Sequence, residues 1–179
     1  MSVPENGKAH PIVHYGDPVL HRPCQKVTTF DDDLVTLVAD MFASMYEAEG
    51  VGLAANQIGV DLSVFVMDID DRKGGRAIGH IVNPVLEEQP PPRTLVTDSE
   101  GCLSVPGQYT DTARVDTATV SGYDMYGKPT TLTGEGYVAR CLQHETDHLN
   151  GIVFVDRLPK KLRKKLLTEA GLSTERPAR

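Results

Sequence analysis

His144-Glu145-Thr146-Asp147-His148 places two imidazoles four residues apart, with a carboxylate beside the first. On a helix that spacing separates the rings by about 40° around the axis, so both can face one ion. Glu145, about 100° away, can reach a group bound to that ion. Two histidines do not hold a catalytic metal, which takes a third protein ligand and keeps a position for water. Where the extended metalloprotease motif carries its third histidine this chain has Phe154, and no histidine follows His148. That protease class is excluded on ligand count.

Three readings of the site remain. Glu100-Gly101-Cys102-Leu103-Ser104 offers a thiol at a tight glycine turn, where backbone can approach a site closely, and Cys102 is the better third ligand. Glu169 would instead complete a zinc peptidase, but it ends a lysine-rich segment better explained as an amphipathic cover. Cys141, three residues before His144, would make with Cys102, His144 and His148 a closed tetrahedral set, the mark of a non-catalytic, metal-stabilised binding module. Neither cysteine belongs to a Cys-x-x-Cys pair, and Glu145 would then have no task. The other reading of Cys141 is a buried apolar wall.

These residues need a scaffold, and the 179-residue chain, 40% apolar, has enough material for a real core. One domain over residues 1–179 is expected, with 1–10 and 172–179 flexible. The 25 acidic residues outweigh 18 basic ones, a net charge of −7 that argues against a general nucleic-acid binder, DNA included. No run approaches the roughly 18 apolar residues of a spanning helix, and the polar start, Met1 to His10, is no export signal, so no membrane role is expected. Three cysteines cannot all pair within the chain, which suits a reducing cytoplasm.

Tyr15-Gly16-Asp17-Pro18 is a turn, and apolar residues from Leu34 to Met45 recur at three and four, predicting an N-terminal helix over 31–49 that Gly50 can close. Val64–Met67 and Ile81-Val82 read as short strands separated by a loop from Asp70 to Gly79, and Pro90-Pro91-Pro92 interrupts any regular element. Thr117 to Tyr123 and Pro129 to Leu132 form a β-hairpin. A helix follows over 135–149 with Gly151 past its end, then a C-terminal amphipathic helix with a stripe of Leu158, Leu162, Leu166 and Leu167. The fold class is α+β, a single domain of mixed or antiparallel sheets around a central metal-binding helix. Gly50-Val51-Gly52-Leu53-Ala54-Ala55 matches a dinucleotide fingerprint, but that fingerprint needs a strand before it, and here a helix precedes. What these glycines can do is bring main chain close to an extended ligand, beside the amides of Asn56 and Gln57.

Taken together, Gly50 to Gln57, Glu100 to Ser104 and Gln143-His144-Glu145-Thr146-Asp147-His148-Leu149 resemble the three signature motifs of the peptide deformylase family, in the same order. Tyr15 to Leu20 is similar to its N-terminal turn. The resemblance implies a hydrolase that removes the formyl group from N-formylmethionyl nascent peptides and releases formate. It implies that Cys102, His144 and His148 hold one divalent ion, natively Fe2+, with Ni2+, Co2+ or Zn2+ accepted by purified protein. Metal-bound water is then the nucleophile, Glu145 the general base and acid, and the Gln57 side chain and Leu103 backbone N–H the oxyanion donors. A thiolate ligand is easily oxidised, so a ferrous form should lose activity in air.

The peptide is expected to lie extended along Gly50, Val51 and Gly52. Helical spacing puts Tyr137, Cys141 or Arg140, His144 and His148 on one face, and with Val51 they would wall the methionine pocket, although Arg140 needs its charge directed outward or paired. Plain core packing is the other reading of Tyr137 and Val51. Glu100 and Arg114 match family positions that pair with each other, which would brace the Cys102 turn. One departure is Tyr109, where many members carry Arg facing the peptide. The basic segment Lys160, Lys161, Arg163, Lys164 and Lys165 offers a ribosomal contact, against the simpler reading of a solvated helix face.

Overall fold

The computed structural model describes residues 3–70 and 75–177. Asp31 starts the first helix, α1 (Asp32–Glu47), by accepting the Leu34 N–H at 3.1 Å, with Asp32 and Asp33 in the positive first turn. Gly50 closes it through an N–H to Met45 O at 2.8 Å, but the left-handed residue is Glu49 (φ 55°), one position earlier than a glycine cap would put it.

Seven strands follow: β1 (Gly52–Ala54), β2 (Val64–Asp70), β3 (Arg76–Leu86), β4 (Leu95–Cys102), β5 (Val105–Val115), β6 (Thr117–Tyr123) and β7 (Pro129–Glu135). Five make one antiparallel sheet in the order β1-β2-β3-β6-β7, and β4 and β5 make a separate hairpin. β2 explains the layering. Val64 and Val66 pack into a cluster with Leu34, Val38 and Phe42 of α1, while Phe65, Met67 and Ile69 pack with residues of the second helix, α2 (Gly136–Leu149). The period of two thus buries both faces of the strand and sets the helices on opposite sides of the sheet.

Two expectations are corrected. The loop expected from Asp70 to Gly79 is shorter, because Arg76 to Gly79 already belong to β3 in register with β2; residues 71–74 lie outside the described residues. Glu100, Gly101 and Cys102 are not a turn but the end of β4, and the turn itself is Leu103-Ser104. The hairpin at β6 and β7 and the central helix lie where the pattern put them, with Gly151 left-handed (φ 73°) after α2. The last helix, α3 (Lys160–Glu169), turns Leu166 and Leu167 into a third cluster with Tyr15, Leu20, Val105 and Phe154. Near the N-terminus, Lys8 N–H and His10 Nε2 bond Asp40 of α1 at 2.7 and 2.8 Å. Among the described residues no helix is long and apolar enough to cross a membrane.

Every residue of α2 from Val138 to Leu149 is buried, polar ones included, so this helix is the axis of the fold. A polar side chain that far inside needs a partner. Away from α2, His80 and His21 are buried with one ring nitrogen each accepting a backbone N–H, from Met125 at 2.9 Å and from Gly16 at 3.1 Å. Burial lowers the pKa of both, so the fold favours their neutral forms. The stability they contribute is complete above the unfolded histidine pKa of about 6.5 and is lost as pH falls below it, with a limiting slope of about 1.4 kcal/mol per pH unit for each ring. Urea unfolding of metal-saturated protein is expected to show falling stability from about pH 7.5 to about 5.5. His80→Gln should show a smaller slope over that interval; an unchanged slope would remove His80 from the account.

Candidate active site

Three donors meet where α2 faces the β4–β5 hairpin. Cys102 Sγ lies 3.2 Å from His148 Nε2, and His148 Nε2 lies 3.2 Å from His144 Nε2. Among the described residues these three form a group able to hold a metal ion, all donor atoms lying within 4.8 Å of one another. The chemistry of the set fits a cation. His144 Nδ1 is occupied by Glu100 Oε1 at 2.7 Å, which fixes the tautomer and leaves the Nε2 lone pair aimed at its neighbours. That nitrogen, His148 Nε2 and the Cys102 sulfur crowd within 3.2 Å contacts that are favourable when a proton or a metal ion sits among them.

The other third ligands are not brought here. Glu169 is on the exposed side of α3, 3.8 Å from Lys165 Nζ. Cys141 is buried and turns its sulfur to Val51 O at 3.9 Å, so it walls the site and stays out of the ligand group. Phe154, at the position where the longer protease motif has a ligand, is buried and stacks on His144 with ring centroids 6.3 Å apart and planes 27° apart.

Glu145 is 3% exposed, and its Oε2 has no hydrogen-bond partner among the described residues. Burial raises its pKa to about 7, an effect opposed by His144 and reinforced by the Glu100 carboxylate. Gly52 makes room for it: a Cβ there would overlap Glu145 Oε1 and lie 2.8 Å from Cys141 Sγ. Gln57 is held by the same segment, its Oε1 accepting the Ala54 N–H at 2.9 Å, so that its Nε2 points at Ser104 Oγ (3.2 Å) and Cys102 Sγ (3.5 Å).

The donors open onto a groove of about 570 Å³ whose lining includes Gly50, Val51, Gly52, Leu103, Tyr137 and Cys141. Among the described residues β1 pairs with one strand, β2, so that Gly52 on its other edge borders this groove while Ala54 there is capped by Gln57. Tyr109 stands at the rim, 71% exposed, its ring lying against Gly101 where any Cβ would collide with it.

A family profile for polypeptide deformylase matches residues 9–164. The chain belongs to the polypeptide deformylase family. Peptide deformylase 1 of Streptomyces avermitilis is 55% identical over 166 residues, covering 92% of this chain and 77% of that one. The peptide deformylase of Mycolicibacterium paratuberculosis is 52% identical, covering 83% and 80%. Among solved structures, a Legionella pneumophila peptide deformylase superposes with a TM-score of 0.82 at 43% identity, covering 91% of this chain and 94% of that one. An Ehrlichia chaffeensis peptide deformylase solved in complex with actinonin gives 0.84 at 34%, covering 90% and 95%. Deformylases are metal-dependent hydrolases that remove the N-terminal formyl group of nascent peptides, and this chain's fold is theirs.

Sequence reasoning undercounted the support of the deformylase centre. The expected Glu100–Arg114 pair is no isolated surface contact: Arg114 is 3% exposed and grips both Glu100 oxygens, Nε at 3.0 Å and Nη2 at 2.5 Å. Arg114 Nη1 also bonds Asp147 at 2.6 Å. Arg140, whose charge was in question, is buried and paired, donating to Glu100 Oε2 at 2.8 Å and to the Thr112 and Val96 carbonyls. Burial alone would raise the Glu100 pKa, but hydrogen bonds from His144 and Arg114 overcome it and hold the carboxyl below the usual carboxylate range. The arginines' sequence positions carried no signal that they meet at one carboxylate. Removing one partner of a buried ionic group is costly, and Arg114→Met should destabilise the protein by about 3 kcal/mol in urea unfolding. A loss under about 1 kcal/mol would mean the pair behaves like an exposed one.

Proposed function

We propose that this chain is a working deformylase, one catalytic unit over residues 1–179, acting in the cytoplasm on N-formylmethionyl nascent peptides. Cys102, His144 and His148 are its ligands for one divalent ion, Fe2+ natively, since a thiolate with two imidazoles accepts several divalent metals and availability decides among them. Ni2+, Co2+ or Zn2+ serve the same donors in purified protein. When bound there, such an ion supplies Lewis acidity and lowers the pKa of a coordinated water toward neutrality.

The protein's own groups account for the rest. An extended peptide adds to the free edge of β1 through main-chain hydrogen bonds at Gly50, Val51 and Gly52, which is tolerant of sequence beyond the first residue. Val51, Tyr137 and Cys141 flank the methionine side chain. Glu145 takes a proton from the attacking water, the oxygen adds to the formyl carbon, and the C–N bond breaks as Glu145 returns the proton to the leaving amine, releasing formate. Charge developing on the formyl oxygen is met by Gln57 Nε2 and the Leu103 N–H, a contribution of roughly 3 kcal/mol per donor in comparable sites. Gln57 is preset for this, because Ala54 fixes its carbonyl end.

The observation that carries the reading is Glu145. A buried carboxyl with an unpartnered oxygen, beside three metal donors and open to a groove, has a task in hydrolysis and none in a closed structural site. The test is formate release from formyl-Met-Ala-Ser by protein purified without oxygen, with metal content measured alongside. Glu145→Gln should retain the metal and lose activity by about 100-fold or more. Cys102→Ala should lose both; a Glu145→Gln variant with full turnover would end the assignment.

The basic α3 presents Lys160, Lys161, Lys164 and Lys165 to solvent while Leu166 and Leu167 are buried, which supports a contact with ribosomal RNA near the emerging substrate. Because deleting α3 would also remove Leu166 and Leu167 from the core, charge substitution is the cleaner probe. Replacing the four lysines with Glu should abolish salt-sensitive cosedimentation with ribosomes; unaltered cosedimentation would refute the contact.

A further inference from the structure

One ionic chain leaves the metal donors and ends at the surface. His144 Nδ1 is bonded to Glu100, Glu100 to Arg114, and Arg114 Nη1 to Asp147 Oδ2. Arg157 closes it with a two-pronged grip on Asp147, Nε to Oδ2 and Nη2 to Oδ1, both at 2.5 Å. The Asp147 side chain is 10% exposed and that of Arg157 44%, so the outermost member sits in partial contact with water while its partner lies inside.

The segment bearing Arg157 is itself fixed. Phe154–Arg157 is a single 3-10 turn whose Asp156 accepts the Val153 N–H at 3.1 Å and the Tyr15 hydroxyl at 2.8 Å. Its first residue, Phe154, is the ring stacked on His144. One short turn therefore holds the same imidazole in two ways, directly through a ring face and indirectly through four charged side chains.

We infer that Arg157 is a positioning residue for the metal centre: by engaging Asp147 it leaves Arg114 to Glu100, and so keeps His144 oriented toward the ion. This rests on the ligand assignment above. Without Arg157, Asp147 keeps Arg114 as its one arginine partner among the described residues and draws that guanidinium from Glu100, loosening the bond that orients His144. Partners that orient a ligand typically change metal affinity by 10- to 100-fold when removed. An ordinary exposed ion pair would lower thermal stability and leave the affinity of the folded protein unchanged.

Co2+ affinity, read by competition with a chromophoric chelator on protein verified as folded, separates these cases. Arg157→Met should bind Co2+ about tenfold more weakly than the wild type, with a changed visible Co2+ spectrum. Arg157→Lys, which restores charge without the fork, should fall between the two, and it carries the test should the Met variant fail to fold. Wild-type affinity and spectrum in Arg157→Met, or in Arg157→Lys where only that variant folds, would overturn the inference. Cys102→Ala serves as the control. If it loses Co2+ while Arg157→Met keeps it, the role of Arg157 alone is wrong; if it keeps Co2+, the ligand assignment is wrong.

Discussion

A sulfur and two imidazole nitrogens held face to face is an arrangement a folded protein resists, because their lone pairs repel and their hydration is lost on burial. Everything near α2 follows from having to hold that arrangement. Glu100 occupies the far nitrogen of His144, and three arginines pair with Glu100 and Asp147 inside the protein. A carboxylate so buried would otherwise take up a proton and lose its grip on the ring. The cost of burying these charges is offset by their being fully hydrogen-bonded to one another, which also makes the centre rigid.

The same rigidity divides two carboxylates by role. Glu100, wrapped in guanidinium groups, stays ionised and orients a ligand. Glu145 borders the groove, its Oε2 has no partner among the described residues, and burial pushes its pKa up to about 7. The groove arises from sheet topology. Among the described residues β1 has β2 as its one strand neighbour, and the β4–β5 hairpin delivers Cys102 across from it, so the outer edge at Gly52 shares one cleft with Cys102 and His144.

The parts of this fold that were legible in the sequence are those with strong periodicity. α1, α2, α3 and the β6–β7 hairpin each bury a regular set of apolar residues, and their patterns show it. The β4–β5 hairpin left no such trace. Leu95–Cys102 is half exposed and largely polar, and Arg114 and Arg140 tie the hairpin to α2 through charge. β3 was visible only at Ile81-Val82 because Gly79, Asn83 and Pro84 interrupt it. In the fold Asn83 turns left-handed (φ 52°) at a register shift and exchanges two 2.9 Å hydrogen bonds with Val27 in place of a ladder.

Residue chemistry and spacing along the chain located the central helix, the pairing of two histidines with one carboxylate on it, the exclusion of the three-histidine protease class, and the α+β class. Local spacing carries that information because residues three and four apart on a helix are neighbours whatever surrounds them. Only the tertiary structure brought Cys102 beside His144 and His148 and left Cys141 and Glu169 out of that group, joined Glu100 to Arg114 and Arg140 and Arg114 to Asp147, and set Phe154 and Arg157 against the centre. Those contacts join residues brought together by the crossing of separate elements, and distance along a chain does not encode them.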